Sequence, residues 1–184
     1  MGKKEIFIKG LLVFTPDIYK DERGFFFESF NSYRYQEEIG IHFSFVQDNV
    51  SQSNRGVIRG LHFQKKPHEQ GKLVSVLFGR VWDVAVDIRP KSETFGKWFG
   101  LELSGENHKQ FWIPPGFAHG FIALEDNTIF SYKCTDVYSP ECEGSLLWND
   151  PTIAISWPME KNAVIISKKD AVSMTFKEFQ RKIL

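Results

Sequence analysis

The sequence predicts a mainly β fold whose short strands close into a sandwich or barrel. Three observations point there. Strand-like runs follow one another closely, most of them bounded by Gly, Pro, Asn or Asp. Within them residues alternate: across 80–88, Trp82, Val84, Val86 and Ile88 fall on one face, and Asp83, Ala85 and Asp87 on the other. Phe accounts for 18 of 184 residues, and aromatic side chains favour strands. A jelly roll is one closed solution of this kind.

Taken in order, residues 6–14 are apolar, punctuated by Gly10 and broken by Pro16, and read as one or two strands. Residues 23–30 are aromatic-rich and read as another. The first helix is expected over 31–39, with Asn31 or Ser32 as its cap and Gly40 as a left-handed stop. Strands are expected at 44–50, 56–63, 72–78 and 80–88, with a turn at Gly79-Arg80. More follow at 98–103, 110–113, 119–124 and 128–138. Thr175 and Glu178 stand at capping-box spacing, which predicts a short C-terminal helix. No repeat, low-complexity tract or linker interrupts the chain, and its length suits one domain spanning 1–184.

Lys plus Arg and Asp plus Glu each number 23, so the formal net charge is zero. That removes the broad attraction on which nucleic-acid binders depend, while leaving room for a local basic pocket around one phosphate group. Cys134 and Cys142 are too few for a disulfide framework and form no CxxC pair, which predicts two free thiols in a reducing compartment. The opening Met1-Gly2-Lys3-Lys4-Glu5-Ile6 has no apolar core of signal-peptide length, and Ile6 stands where a myristoylation site needs Ser or Thr. No apolar run is long enough to cross a bilayer. The expectation is a cytoplasmic protein without a nucleic-acid or membrane partner.

Among five histidines, His42 and His108 lie in ordinary polar surroundings and read as surface residues. His62 sits in Arg59-Gly60-Leu61-His62-Phe63-Gln64. There Gly60 suggests a bulge or a close approach, and Arg59 offers a planar fork that matches phosphate. Strict alternation would point Arg59 and His62 to opposite faces, so a shared pocket requires Gly60 to break the alternation or the pocket to wrap the strand end. His119, in Pro114-Pro115-Gly116-Phe117-Ala118-His119, resembles the second half of the cupin motif, a jelly-roll signature whose His is commonly a metal ligand. The His-x-His of the first half is missing, and His68 with Glu69 does not have its spacing, so the reading is a cupin barrel without a metal. Proton chemistry then falls to side chains. Histidine is the usual base near neutrality, Tyr132 offers a phenolic proton, and Lys72, after Gly71, can face a developing oxyanion. Taken singly, each also fits a packed or solvated strand residue.

Further motifs join these: Arg23-Gly24-Phe25-Phe26-Phe27-Glu28, Phe45-Val46-Gln47-Asp48-Asn49, Gly71-Lys72-Leu73-Val74, Asp83-Val84-Ala85-Val86-Asp87 and Trp148-Asn149-Asp150-Pro151. Read together with the Arg59 to Gln64 run and the stretch 113–121, they resemble the dTDP-4-dehydrorhamnose 3,5-epimerase family. The resemblance runs from about Arg23 to Asp170. It implies a cupin jelly roll, a homodimer, no cofactor and no metal. The substrate it implies is a dTDP-linked 4-keto-6-deoxy sugar, inverted at C3 and C5 on the route to dTDP-L-rhamnose. It implies His62 as base, oriented by Asp170, Tyr132 as acid on the opposite face of the ring, and Lys72 facing the C4 oxygen with His119 lining the sugar pocket. By the same resemblance Arg59 contacts the diphosphate with help from Lys168, and Arg23, Glu28, Gln47 and Asn49 contact the nucleotide. Tyr138 stacks on the thymine and Glu143 is a further contact. Because an N-terminal segment reaches the partner subunit in that family, Arg23 and Glu28 are expected to serve the neighbouring site. The tail after Asp170 matches no part of the pattern.

Three rivals stand beside this reading. One is a monofunctional 3- or 5-epimerase of the same fold. The second is a metal-dependent cupin such as an oxygenase, which the absent His-x-His disfavours. The third is a non-catalytic sugar-binding jelly roll, which explains the aromatics but not a His, Lys and Tyr set.

Overall fold

Which residues pair across strands decides the architecture, and the computed structural model describes this for residues 1–40 and 42–183. In chain order the strands are β1 (Gly2–Glu5), β2 (Leu12–Thr15), β3 (Tyr19–Asp21), β4 (Gly24–Phe26), β5 (Gln47–Ser53), β6 (Val57–Gln64) and β7 (Lys72–Phe78). They continue with β8 (Arg80–Asp87), β9 (Trp98–Ser104), β10 (Gln110–Ile113), β11 (Phe117–Ala123), β12 (Thr128–Cys134), β13 (Glu143–Ser145) and β14 (Ile165–Ile166). The helices are α1 (Ser32–Ile39), α2 (Lys168–Ala171) and α3 (Phe176–Ile183). One sheet runs β1-β2-β10-β7-β12-β5, the other β13-β6-β11-β8-β9 with β14 parallel beside β6, and β3-β4 form a separate hairpin.

The alternation read from the sequence distributes side chains as expected. Val81 and Ala85 of β8 join Val13, Val74, Val76, Phe111, Phe121 and Phe130 in the core between the sheets. Val84, Val86 and Ile88 point the other way, onto Phe176 and Phe179 of α3. On the far side, Leu12, Phe14, Leu73 and Trp112 pack on Tyr35 of α1. The result is two sheets face to face with a helix on each outer surface, a jelly-roll arrangement held by aromatics and aliphatics worth about 1.5–3 kcal/mol each when fully buried. Asn31 caps α1 by accepting from the Arg34 N–H, and Gly40 closes it at φ 78°. Thr175 and Glu178 form the expected reciprocal box at α3: the Thr175 N–H donates to Glu178 Oε2 (2.7 Å) and the Glu178 N–H to Thr175 Oγ1 (3.3 Å).

The early boundaries differ. Of residues 6–14 only the last three are strand; residues 6–11 are the turn of a hairpin whose first arm is the polar, exposed β1, registered Glu5 to Leu12 and Gly2 to Thr15. Pairing at a sheet edge does not require an apolar strand, so hydropathy misplaces it. Within 23–30 only Gly24–Phe26 is strand, and residues 135–138 leave β12 at Cys134. His42 is exposed as expected. His108 is not: it packs half-buried against the Phe25 and Phe27 rings (centroids 4.7 and 4.9 Å), and burial pushes its imidazole pKa down. Both cysteines are free thiols. No helix among the described residues is long and apolar enough to cross a membrane.

Candidate functional site

A cleft opens between the two sheets in two lobes, with cavity volumes of about 210 and 470 Å³. His62, Lys72 and Tyr132 line both lobes and so mark where they meet. The smaller lobe adds Gln47, Asn49, Gln64, Gln70, Tyr138 and Glu143; the larger adds Arg59, His119, Phe121, Phe130, Lys169 and Asp170.

Arg59 and His62 share this cleft because β6 is bulged. His62 is registered with His119 and Arg59 with Phe121, so β6 spends one residue more than β11 over the same interval. Such an insertion re-aims the side chains that follow it. Gly60 permits it: its φ is +137°, and an added Cβ would stand 2.5 Å from the Gly120 Cα and 2.9 Å from the His119 carbonyl oxygen. Arg59 is then held by its own neighbours, Nε donating to Ser53 Oγ (3.1 Å) and Nη2 to the Gln52 carbonyl (3.0 Å).

His62 Nε2 lies 2.7 Å from Asp170 Oδ1, and the Asp170 side chain is only 5% exposed. Asp170 belongs to α2, where its own N–H donates to the Ser167 cap (3.0 Å). Burial alone would raise this carboxyl, but the His62 hydrogen bond and charge, together with the Gly60 N–H, outweigh it and hold the pKa below the usual value. A second histidine–carboxylate pair lies deeper. His119 Nε2 is 3.0 and 2.9 Å from the two oxygens of Asp83, a residue with no exposed surface. Burial pushes the Asp83 carboxyl up, against the pull of His119 and Lys72.

The opposite wall comes from the first sheet. Tyr132 on β12 neighbours Lys72 on β7, with Cys134 registered to Lys72 and the ammonium 5.9 Å from the Tyr132 ring centroid. Burial raises the phenol pKa, so Tyr132 keeps its proton at neutral pH. Desolvation pulls the Lys72 ammonium down, opposed by Cys134, Asp83 and Glu143. At the mouth, Gln47 Nε2 donates to Asn49 Oδ1 (3.0 Å) and Gln47 Oε1 accepts from the Tyr138 N–H (2.8 Å). The Tyr138 hydroxyl donates to Glu143 Oε2 (3.0 Å), which also pairs with Lys169 Nζ at 2.5 Å.

Ten of the residues expected at the site thus line the cleft: His62, Tyr132, Asp170, Lys72, Gln47, Asn49, Arg59, His119, Tyr138 and Glu143. Three do not. Arg23 is exposed on the β3–β4 hairpin and paired with Asp21, and Glu28 pairs with Arg34 (3.0 Å). Lys168 is exposed outside both lobes, while the adjacent Lys169 faces the larger one: the four-residue helix α2 turns them to different sides. Asp83 was missed as a partner for His119: alternation sets it opposite Trp82, on the face it shares with Ala85 and Asp87, and the structure shows that this carboxylate-bearing face is buried. Among the described residues no three His, Cys, Asp or Glu side chains cluster as a metal shell, and His68 instead meets Asp136 (3.1 Å). The groups assembled are therefore a paired imidazole on one wall, a protonated phenol on the other and an ammonium between the lobes.

Comparison with known proteins extends this picture. The family model described as dTDP-4-dehydrorhamnose 3,5-epimerase matches residues 5–178. The dTDP-4-dehydrorhamnose 3,5-epimerase of Salmonella typhimurium is 52% identical over 166 residues, 90% of each chain. That of Methanothermobacter thermautotrophicus is 53% identical over 165 residues, 89% of this chain and 88% of its own. The crystal structure of the 3,5-epimerase of Legionella pneumophila in complex with dTDP-4-keto-L-rhamnose superposes with a TM-score of 0.95 at 52% identity, covering 100% of this chain and 96% of that one.

Proposed function

The chain belongs to the dTDP-4-dehydrorhamnose 3,5-epimerase family, and we propose how its own residues divide the work of that reaction. The activity is the double epimerisation, at C3 and C5, of dTDP-4-dehydro-6-deoxy-D-glucose to dTDP-4-dehydro-L-rhamnose. A hydrogen beside a ketone is acidic because its removal leaves an enolate, so one C4 carbonyl activates both neighbouring carbons. In this reading neutral His62 takes the proton, and Asp170 holds the ring through Nε2 and stabilises the imidazolium that forms. Lys72 stabilises the negative charge as it builds on the C4 oxygen. Tyr132 then returns a proton to the same carbon from the other side, which inverts it. The observation that carries this is His62 on one sheet, paired with Asp170 of α2, set against Tyr132 on the facing sheet, with one cleft between them.

The lobes divide the substrate accordingly. The larger takes the sugar against Phe121, Phe130 and His119, with Arg59 at the diphosphate, and the smaller takes the nucleotide between Tyr138, Gln47, Asn49 and Glu143. Lys168 has no place in this scheme as a phosphate contact. Arg23 and Glu28 serve the cleft of a second subunit in a homodimer, a reading supported by their absence from the lining of their own cleft and by the exposed Phe25 and Phe26 beside them. A cytoplasmic location fits the two free thiols and the nucleotide-sugar substrate.

The test is His62→Ala and Tyr132→Phe, assayed for turnover and for dTDP affinity. Loss of a proton-transfer group removes about 10²–10⁴-fold in rate. Each variant is expected to lose that much turnover and to keep dTDP affinity within about twofold, the scatter of a binding isotherm. Parallel loss of affinity and rate contradicts the assignment.

A further inference from the structure

Asp170 reaches His62 from a helix of four residues. A helix that short does not hold itself together, because nucleation is unfavourable and only a single turn is gained. Its position must come from outside. The residue before Asp170 supplies one tie: Lys169 Nζ pairs with Glu143 Oε2 at 2.5 Å. Glu143 sits on β13, which is paired to β6 with Glu143 opposite Gln64 and Ser145 opposite His62. Ser145 itself contacts Ser173, just beyond α2, at 2.8 Å. The contacts close a ring, from His62 to Asp170, along the chain to Lys169, across to Glu143, and back through β13 to the strand that carries His62.

We propose that Glu143 is a positioning residue for the catalytic dyad: through Lys169 it clamps α2 against β6 and so sets Asp170 on His62. This rests on the reading of His62 as the base. The carboxylate is well suited to the task. Its side chain is 19% exposed against 58% for Lys169, so the clamp is anchored on the barrel and its free end is on the segment it holds. Burial would raise the Glu143 carboxyl, but Lys169 and Tyr138 bring it below its usual value, so it is ionised and ready to pair. The same Oε2 accepts from the Tyr138 hydroxyl (3.0 Å), so the clamp also ties the nucleotide lobe to the dyad.

The experiment compares Glu143→Gln and Lys169→Met with the wild type in two assays. The first is hydrogen–deuterium exchange of the peptide covering 165–175, which needs no substrate. An ion pair partly open to solvent accounts for roughly fivefold in such an equilibrium, so both variants should exchange about fivefold faster there and nowhere else. The second is kcat at saturating dTDP-4-dehydro-6-deoxy-glucose. A fall of roughly two- to fivefold is expected, with no further fall when either change is added to Asp170→Asn. Unaltered exchange, or a raised KM with kcat kept, overturns the clamp and leaves Glu143 and Lys169 as substrate contacts only. Faster exchange with kcat kept also overturns it, because α2 would then be loosened without consequence for the dyad. Lys169→Met changes an exposed side chain and tests the clamp if Glu143→Gln fails to fold. A wild type that turns over no substrate refutes the dyad reading, and the exchange assay still tests the clamp.

Discussion

Gly60→Ala tests whether the bulge in β6 builds the site. The methyl would meet backbone on every side: the Gly120 Cα at 2.5 Å, the His119 carbonyl oxygen at 2.9 Å and the Gly120 nitrogen at 3.3 Å. None of these can swing aside as a side chain would. A non-glycine residue at φ +137° carries about 1–3 kcal/mol of backbone strain, and forcing an extra methyl into a packed strand pair costs about 1–3 kcal/mol more. The total, roughly 2–6 kcal/mol, is large beside a typical folding stability of about 5–15 kcal/mol. Gly24→Ala is the matched comparison: φ is +124°, but a Cβ there meets nothing within 4 Å, so it isolates the backbone strain. Urea unfolding and steady-state turnover of both variants decide the matter. Gly60→Ala should lie at least about 1 kcal/mol below Gly24→Ala in stability. Its turnover should fall at least tenfold, since relief of the clash flattens the bulge and turns His62 from the cleft. Equal stability for the two variants, with turnover kept in Gly60→Ala, would refute the reasoning.

Other outcomes follow from the same contacts. Asp170→Asn removes a charged partner from His62, a hydrogen bond of about 1.5–3 kcal/mol, so kcat should fall roughly 10–100-fold while dTDP affinity by calorimetry holds. Asp150 accepts from the N–H groups of Thr152 and Ile153 and, through its other oxygen, from that of Phe176 at the start of α3 (2.9 Å). Asp150→Ala should therefore lower stability by about 2–4 kcal/mol in thermal unfolding, and a loss under 0.5 kcal/mol would show that water replaces it. Tyr35, 1% exposed, has its phenol pushed up to about 12 by burial and by nearby Glu28. A raised folded-state pKa gives stability that is complete below pH 10 and lost as pH climbs toward 12, here about 2–3 kcal/mol. Tyr35→Phe should flatten that alkaline limb, and an unchanged limb would contradict the assignment.

Strands were legible where hydropathy alternates between two buried faces. The limits of β7 were read residue for residue, and β8 divided its side chains between two faces as its pattern implied; that each face meets a different buried layer is a finding of the structure. Hydropathy failed where no core face exists: β1 is a polar edge strand fixed by its partner, and β3, β13 and β14 are too short to show a period. The site was legible as a set of motifs, but its geometry was not. That Arg59 and His62 share one cleft depends on a register shift between β6 and β11, which single-strand alternation argues against, and only the glycine between them hinted at it. The choice between Lys168 and Lys169 turned on the direction of one helical turn, which two adjacent lysines leave open. Asp83 was hidden by its neighbours: it shares a face of β8 with Asp87, which alternation reads as the polar side of the strand, yet the fold buries both carboxylates and gives Asp83 His119 as its partner.

The most direct test of the account is proton NMR of the purified protein with dTDP-4-dehydro-6-deoxy-glucose in deuterated water, after treatment with a chelator. Each inverted carbon exchanges its proton with solvent through the enolate. The account predicts deuterium at both C3 and C5 with inversion at each, at a rate the chelator leaves unchanged. Label at a single carbon would make this a monofunctional epimerase, a rate abolished by the chelator would require a metal, and no label would contradict proton abstraction by His62.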